Sequence, residues 1–149
     1  MQKLNFPQYQ FRFKNTENKV GIFAHLRKKF IVLTPEEWVR QHCVQFLIQE
    51  KHYPSTLLNE EKKVDVNGMS KRYDILGFKK NGQVKLIVEC KAPSVNITQT
   101  TFDQIARYNL SLNAEYLMLT NGLNHYFCKM DFLEQKYFFL KDLPEYATS

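Results

Sequence analysis

Glycine is scarce in this 149-residue chain, and its five copies build no phosphate-cradling loop. No Gly-x-x-x-x-Gly-Lys-Ser/Thr segment occurs, so the chain holds no recognisable ATP motor. A Gly-x-Ser-x-Gly nucleophile elbow is also missing, which removes the hydrolases that depend on it. Cysteine is limited to Cys43, Cys90 and Cys128, odd in number and widely spaced. That excludes a disulfide framework and a zinc motif, and leaves the three as small core residues. The histidines, His25, His42, His52 and His125, show no paired metal spacing and read as surface or satisfied core residues. No stretch approaches the roughly 20 apolar residues of a membrane span. Met1-Gln2-Lys3 opens no signal-like segment, so a cytoplasmic location without a membrane partner is expected. Repeats, low-complexity tracts and Pro/Gly/Ser-rich linkers are absent, and one domain is expected over residues 1–149. Within it, 1–33 reads as an amino-terminal extended segment, 34–130 as the core and 131–149 as a carboxy-terminal edge.

The composition is that of a globular protein: 44% hydrophobic, with 14% aromatic residues for packing or stacking. A net charge of +6 and a pI near 9.2 favour a polyanionic partner. The bases cluster as Arg27-Lys28-Lys29 before the first helix, and as Lys62-Lys63 and Lys71-Arg72 before Asp74. From these groups Lys28 and Arg72 are taken as nucleic-acid contacts at one cleft.

Residues 8–33 read as extended, anchored by Phe11, Phe13, Ile22, Phe23, Ile31 and Val32. Thr34 suits a helix N-cap, Pro35 the first helical position, and Glu37 would close a capping box with Thr34. This helix is expected to reach about Lys51, with Val39, Cys43, Phe46 and Leu47 facing the core. A strand follows over 56–66, then a hairpin over 72–79 and 83–91. A second helix is capped by Thr98 and runs to about Leu112. Strands are expected over 115–120, after an Asn121-Gly122 turn over 125–130, and over 137–140. The order from residue 34 to 120 is αβββαβ, which predicts an α/β (α+β) fold with a mixed sheet flanked by helices.

The hairpin carries the chemistry. Asn81-Gly82 between apolar runs signals a two-residue type I′ turn. With Lys80 and Gln83 closing it, counting back sets Asp74 opposite Glu89, on one face with Lys91, while Cys90 points away. Two carboxylates that close need positive charge between them, which a divalent cation and the Lys91 ammonium would supply.

Asp74, then Glu89-Cys90-Lys91-Ala92-Pro93, resembles the core of the PD-(D/E)xK nuclease superfamily. Gln104-Ile105-Ala106-Arg107-Tyr108 is similar to the Gln-x-x-x-Tyr element of the branch found at the amino terminus of type I restriction enzyme R subunits. The resemblance spans roughly residues 20–130, with Tyr73 standing where the superfamily has its proline. It implies a restriction-endonuclease-like core and metal-dependent hydrolysis of DNA in a restriction or repair system, with DNA and a separate motor or specificity subunit as partners. The alternative is a nuclease-fold nucleic-acid-binding or assembly module without turnover.

Hard oxygen ligands select Mg²⁺, or Mn²⁺. Asp74 and Glu89 are the expected ligands, the resemblance adds the Cys90 carbonyl, and Lys91 completes the catalytic set. The resemblance also implies a glutamate on the first helix, for which Glu36 and Glu37 compete; Glu36 is favoured because Glu37 has a capping role. Arg40 reaches either Glu36 or a phosphate, and Gln104 and Tyr108 share the helix face toward the nucleic acid.

Overall fold

The computed structural model describes residues 1–66 and 68–146; the last three residues of the expected carboxy-terminal edge lie outside them. The amino-terminal segment forms an antiparallel sheet of β1 (Phe13–Thr16), β2 (Lys19–Ala24) and β3 (Lys29–Val32). Glu17 and Asn18 join β1 to β2 at φ 30° and 69°, between the paired Thr16 and Lys19. This is the two-residue turn whose left-handed residues match the strand twist. Ile22 and Ala24 point inward and are buried. Phe13 and Val32, expected as anchors, are instead 50% and 51% exposed. Phe13 sits on the edge strand, and Val32, opposite Gly21, faces outward.

Helix α1 (Pro35–Gln49) starts as its cap predicts: Glu37 N–H donates to the Thr34 hydroxyl at 3.0 Å. The reciprocal half of the capping box does not form, because the Glu37 carboxylate turns into the protein toward Arg40 and Gln41. Val39, Cys43, Val44 and Leu47 bury one face of the helix, while Phe46 packs at the margin.

The main sheet holds six strands in spatial order: β4 (Leu58–Val66), β5 (Met69–Phe78), β6 (Val84–Cys90), β7 (Tyr116–Thr120), β8 (His125–Asp131) and β9 (Lys136–Leu140). Only β6 and β7 pair in parallel. Between them runs α2 (Gln99–Asn109), capped by Thr98 and followed by a single 3₁₀ turn to Leu112. Central strands read as unbroken apolar runs because both faces are covered. Leu86, Val88 and Cys90 with Tyr116 and Met118 pack under α1. Ile87, Leu117 and Leu119 pack with Phe102 and Ala106 of α2. The molecule is thus a mixed α+β protein, ordered α1, three strands, α2, strand from residue 35 to 120. Among the described residues no helix is long and apolar enough to cross a membrane.

The β5–β6 turn differs from the two-residue form expected of Asn81-Gly82. Lys79 N–H donates to Gln83 O at 2.8 Å and Gly82 N–H to Lys79 O at 2.9 Å, with Gly82 at φ 89°. The Asn81 carboxamide accepts from Gln83 N–H, an Asx turn that competes with the type I′ form. The loop is therefore Lys80-Asn81-Gly82, one residue longer than expected, a length that normally ends in a left-handed glycine. A second irregularity cancels the shift. Phe78 pairs with Val84 but Gly77 with Leu86, so Lys85 is extra and restores the register. Without this bulge Glu89 would turn to the α1 side of the sheet.

Candidate functional site

Asp74 sits where β5 and β6 part. Their ladder ends at Ile75 opposite Val88, and the β4–β5 ladder skips Glu61 and Asp74, with Glu61 at φ 57°. Tyr73 and Leu76 both pack on the α2 side while Ile75 packs on the α1 side, so the alternation of faces slips at Asp74. Its carboxylate takes over a ladder position: Oδ2 accepts the Cys90 N–H at 2.8 Å. Oδ1 accepts from Arg40 Nη2 at 2.8 Å. Asp74 and Glu89 converge because the strands diverge and the Asp74 side chain fills the gap, rather than as directly opposed rungs.

Glu89 lies on the α2 side, beside Leu119 in the parallel pair. Its Oε1 is buried with no hydrogen-bond partner, and Lys71 Nζ approaches to 3.5 Å as an ion pair. Burial first, and then the charge of Asp74 within hydrogen-bond reach, push the Glu89 carboxyl up to about 7. Lys71 is itself lowered by burial, which the charge of Glu89 partly offsets. Lys91 continues β6 through a 2.8 Å bond from its N–H to Thr120 O. Glu89, Lys71 and Lys91 open into a cleft of about 330 Å³ whose other wall is Gln104, Ile105 and Tyr108 of α2.

Behind the cleft, Arg40 gathers acids from three elements. It meets Asp74 at 2.8 Å, Glu61 at 2.7 Å, Glu36 at 3.4 Å and Glu37. Arg27, from the β2–β3 turn, meets Glu60 at 3.0 Å and Glu37 at 3.4 Å. Gln41 bridges Glu37 and Glu60. Buried charges need such partners, and each acid here has one. Glu36 stays 47% exposed at the rim. Its carboxyl is raised by burial and then by Asp74, against the cations Arg40 and Lys91.

The cleft therefore brings Glu89, Lys91, Gln104 and Tyr108 together; Asp74 does not line it but lies beside Glu89, held by the Cys90 backbone, and Glu36 is half-exposed beside Arg40. Three expected nucleic-acid contacts are corrected. Arg40 is buried and committed to carboxylates, so it is no surface contact for phosphate. Arg72 points away toward Glu61, because the slip at Asp74 puts Lys71 on the cleft side in its place. Lys28 lies exposed in the β2–β3 turn at φ 54° and does not line the cleft. Lys71 and Glu61 are the residues that sequence reasoning missed. Lys71 had a signal in its basic neighbourhood, whereas nothing in a glutamate's propensity announces a left-handed backbone.

A mixed α+β protein with a paired-carboxylate cleft at the divergence of two strands is the class these observations define. Residues 35–144 match the family described as type I restriction enzyme R protein N terminus (HSDR_N), and the chain belongs to that family. The family ties it to restriction systems. A search of curated proteins returned no match.

Proposed function

We propose that the cleft is the active site of a metal-dependent DNA endonuclease serving a restriction system. The observation that carries this reading is Glu89 Oε1, a buried carboxylate oxygen without a hydrogen-bond partner, beside a second carboxylate and only partly compensated by the Lys71 ion pair at 3.5 Å. Such an atom is costly unless a cation or proton satisfies it. Among the described residues no three His, Cys, Asp or Glu side chains gather as a metal site. Mg²⁺ nonetheless fits, since it keeps several waters and takes one or two carboxylates.

Asp74 and Glu89 would hold the ion, with the Cys90 carbonyl beside them and Glu36 acting through water. Bound Mg²⁺ or Mn²⁺ supplies a water of lowered pKa and polarises the phosphoryl oxygen. Arg40 and the Cys90 N–H fix the Asp74 carboxylate in place. Lys91, with no ion pair among the described residues, stabilises negative charge developing on the phosphate. Lys71 offsets the Glu89 charge, and Gln104 and Tyr108 hold the nucleic acid along α2. DNA is the proposed substrate, and a separate motor or specificity subunit the proposed protein partner.

One observation favours a second reading, a binding or assembly module without turnover. Arg40 already pairs with Asp74 Oδ1, so that carboxylate is compensated without a metal ion. Plasmid nicking with Mg²⁺ or Mn²⁺, beside Asp74→Ala, separates the two. Nicking that disappears in Asp74→Ala supports the endonuclease. Nicking that survives the substitution sinks the site, and retained DNA binding with no nicking by the intact protein favours the second reading. Anomalous scattering from soaked Mn²⁺ between Asp74 and Glu89 tests the ion without turnover.

A further inference from the structure

The net charge is segregated. Residues 1–34 hold seven Lys and Arg against the single acid Glu17, whereas the remaining residues hold fourteen bases and fourteen acids. The whole +6 thus belongs to the amino-terminal segment, which precedes the matched residues 35–144. The register of β1, β2 and β3 says where it points. Phe13, Ile22 and Ile31 share the inner face, so Lys14, Lys19, Phe23 and Phe30 share the outer one. Arg12 lies over the Phe23 ring at 4.6 Å and the Phe30 ring at 5.6 Å, and Lys14 over Phe30 at 5.8 Å. Gly21 leaves the backbone between Lys14 and Lys19 uncovered, in a depression of about 120 Å³. Lys14 and Lys19 are exposed and enter no ion pair among the described residues. This contrasts with Arg27, whose guanidinium crosses to Glu37 and Glu60.

We propose that this outer face is a second DNA-binding surface, gripping the phosphate backbone through Arg12, Lys14 and Lys19 outside the cleft. Unpaired cations on a flat face suit a duplex that carries a charge every ~1.7 Å of its axis, whatever its sequence. A membrane is disfavoured because the rings on this face lie under the cations rather than projecting as an insertion wedge. The choice of DNA among polyanions rests on the proposed function; the choice of surface does not.

The test is anisotropy of the full chain on a 20-base-pair duplex in EDTA, titrated over salt, so that loss of cleavage leaves the outcome untouched. Lys14→Gln with Lys19→Gln, checked by circular dichroism, is expected to weaken binding. It should also flatten the slope of log K against log salt by about 1.8, close to 0.9 for each phosphate that is no longer neutralised. A slope unchanged from the parent overturns the proposal, as does binding to phosphatidylserine vesicles in preference to the duplex. Tighter binding to an RNA duplex of equal length overturns the choice of DNA. Arg12→Gln alone, which also uncaps Phe23, is expected to flatten the slope by about half as much.

Discussion

Around Arg40, four carboxylates crowd one buried guanidinium, and the neighbouring Arg27 and Lys71 serve two more. On the outer face of the amino-terminal sheet, Lys14 and Lys19 are exposed and enter no ion pair among the described residues, although Glu17 lies in the turn between their strands. The two regions differ in what their charges can do. A buried charge has to be compensated before the chain folds, so its surplus appears as a displaced pKa or an unsatisfied atom, as at Glu89. An exposed charge needs no partner, so its surplus remains available for a polyanion and is screened by salt.

The largest expected effect breaks the chemistry of the first region and spares the second. Asp74→Asn keeps an acceptor for the Cys90 N–H but removes the charge, and it should abolish nicking while the salt slope of DNA binding in EDTA is unchanged. Next in size, Arg40→Met leaves Glu37, Glu61 and Asp74 without their shared cation. It should destabilise by about 3–5 kcal/mol in denaturant unfolding, and a neutral result would mean the acids are not coupled through Arg40.

The pH dependence of stability comes third. Folded Glu89 keeps its proton up to about 7, against an ordinary value of 4.5, so the folded protein binds more protons in that window. Stability then falls as pH rises through it. Glu89→Gln should flatten this decline, and Mg²⁺ should raise Tm more at pH 8 than at pH 5.5. A parent Tm that climbs between pH 5 and 7, with no dependence on Glu89, contradicts the reading. The smallest effect belongs to the basic sheet: Lys14→Gln with Lys19→Gln should change unfolding free energy by no more than about 0.5 kcal/mol. A larger loss would show that the amino-terminal cations are compensated after all.

Much of the fold was legible because its signals are local. The Thr34 and Thr98 caps place both helices, and the apolar runs of β6 and β7 mark doubly covered central strands. The expected opposition of Asp74 and Glu89 came from the wrong turn. The loop is one residue longer than Asn81-Gly82 suggested, and the Lys85 bulge restores the register. Glu37 was assigned to a capping box whose carboxylate had a stronger alternative in Arg40 and Gln41, visible only once the helix docks. The Lys71-Arg72 cluster does not say which base faces the cleft; the slip of the faces at Asp74 decides for Lys71.

Sequence alone determined which residue types are present and which strands and helices carry them: a paired acid and a lysine on one hairpin, Gln104 and Tyr108 on the next helix, and a basic amino terminus. Capping, periodicity and composition act over a few residues, and that range suffices for those assignments. Tertiary structure decided what each charge meets. The parting of β5 from β6 sends Asp74 to Arg40 and to the Cys90 N–H, leaves Glu89 Oε1 without a hydrogen bond, and turns Lys71 into the cleft. Partners 16 to 34 residues apart are brought together only by packing, and in a low-dielectric interior the partner sets the chemistry.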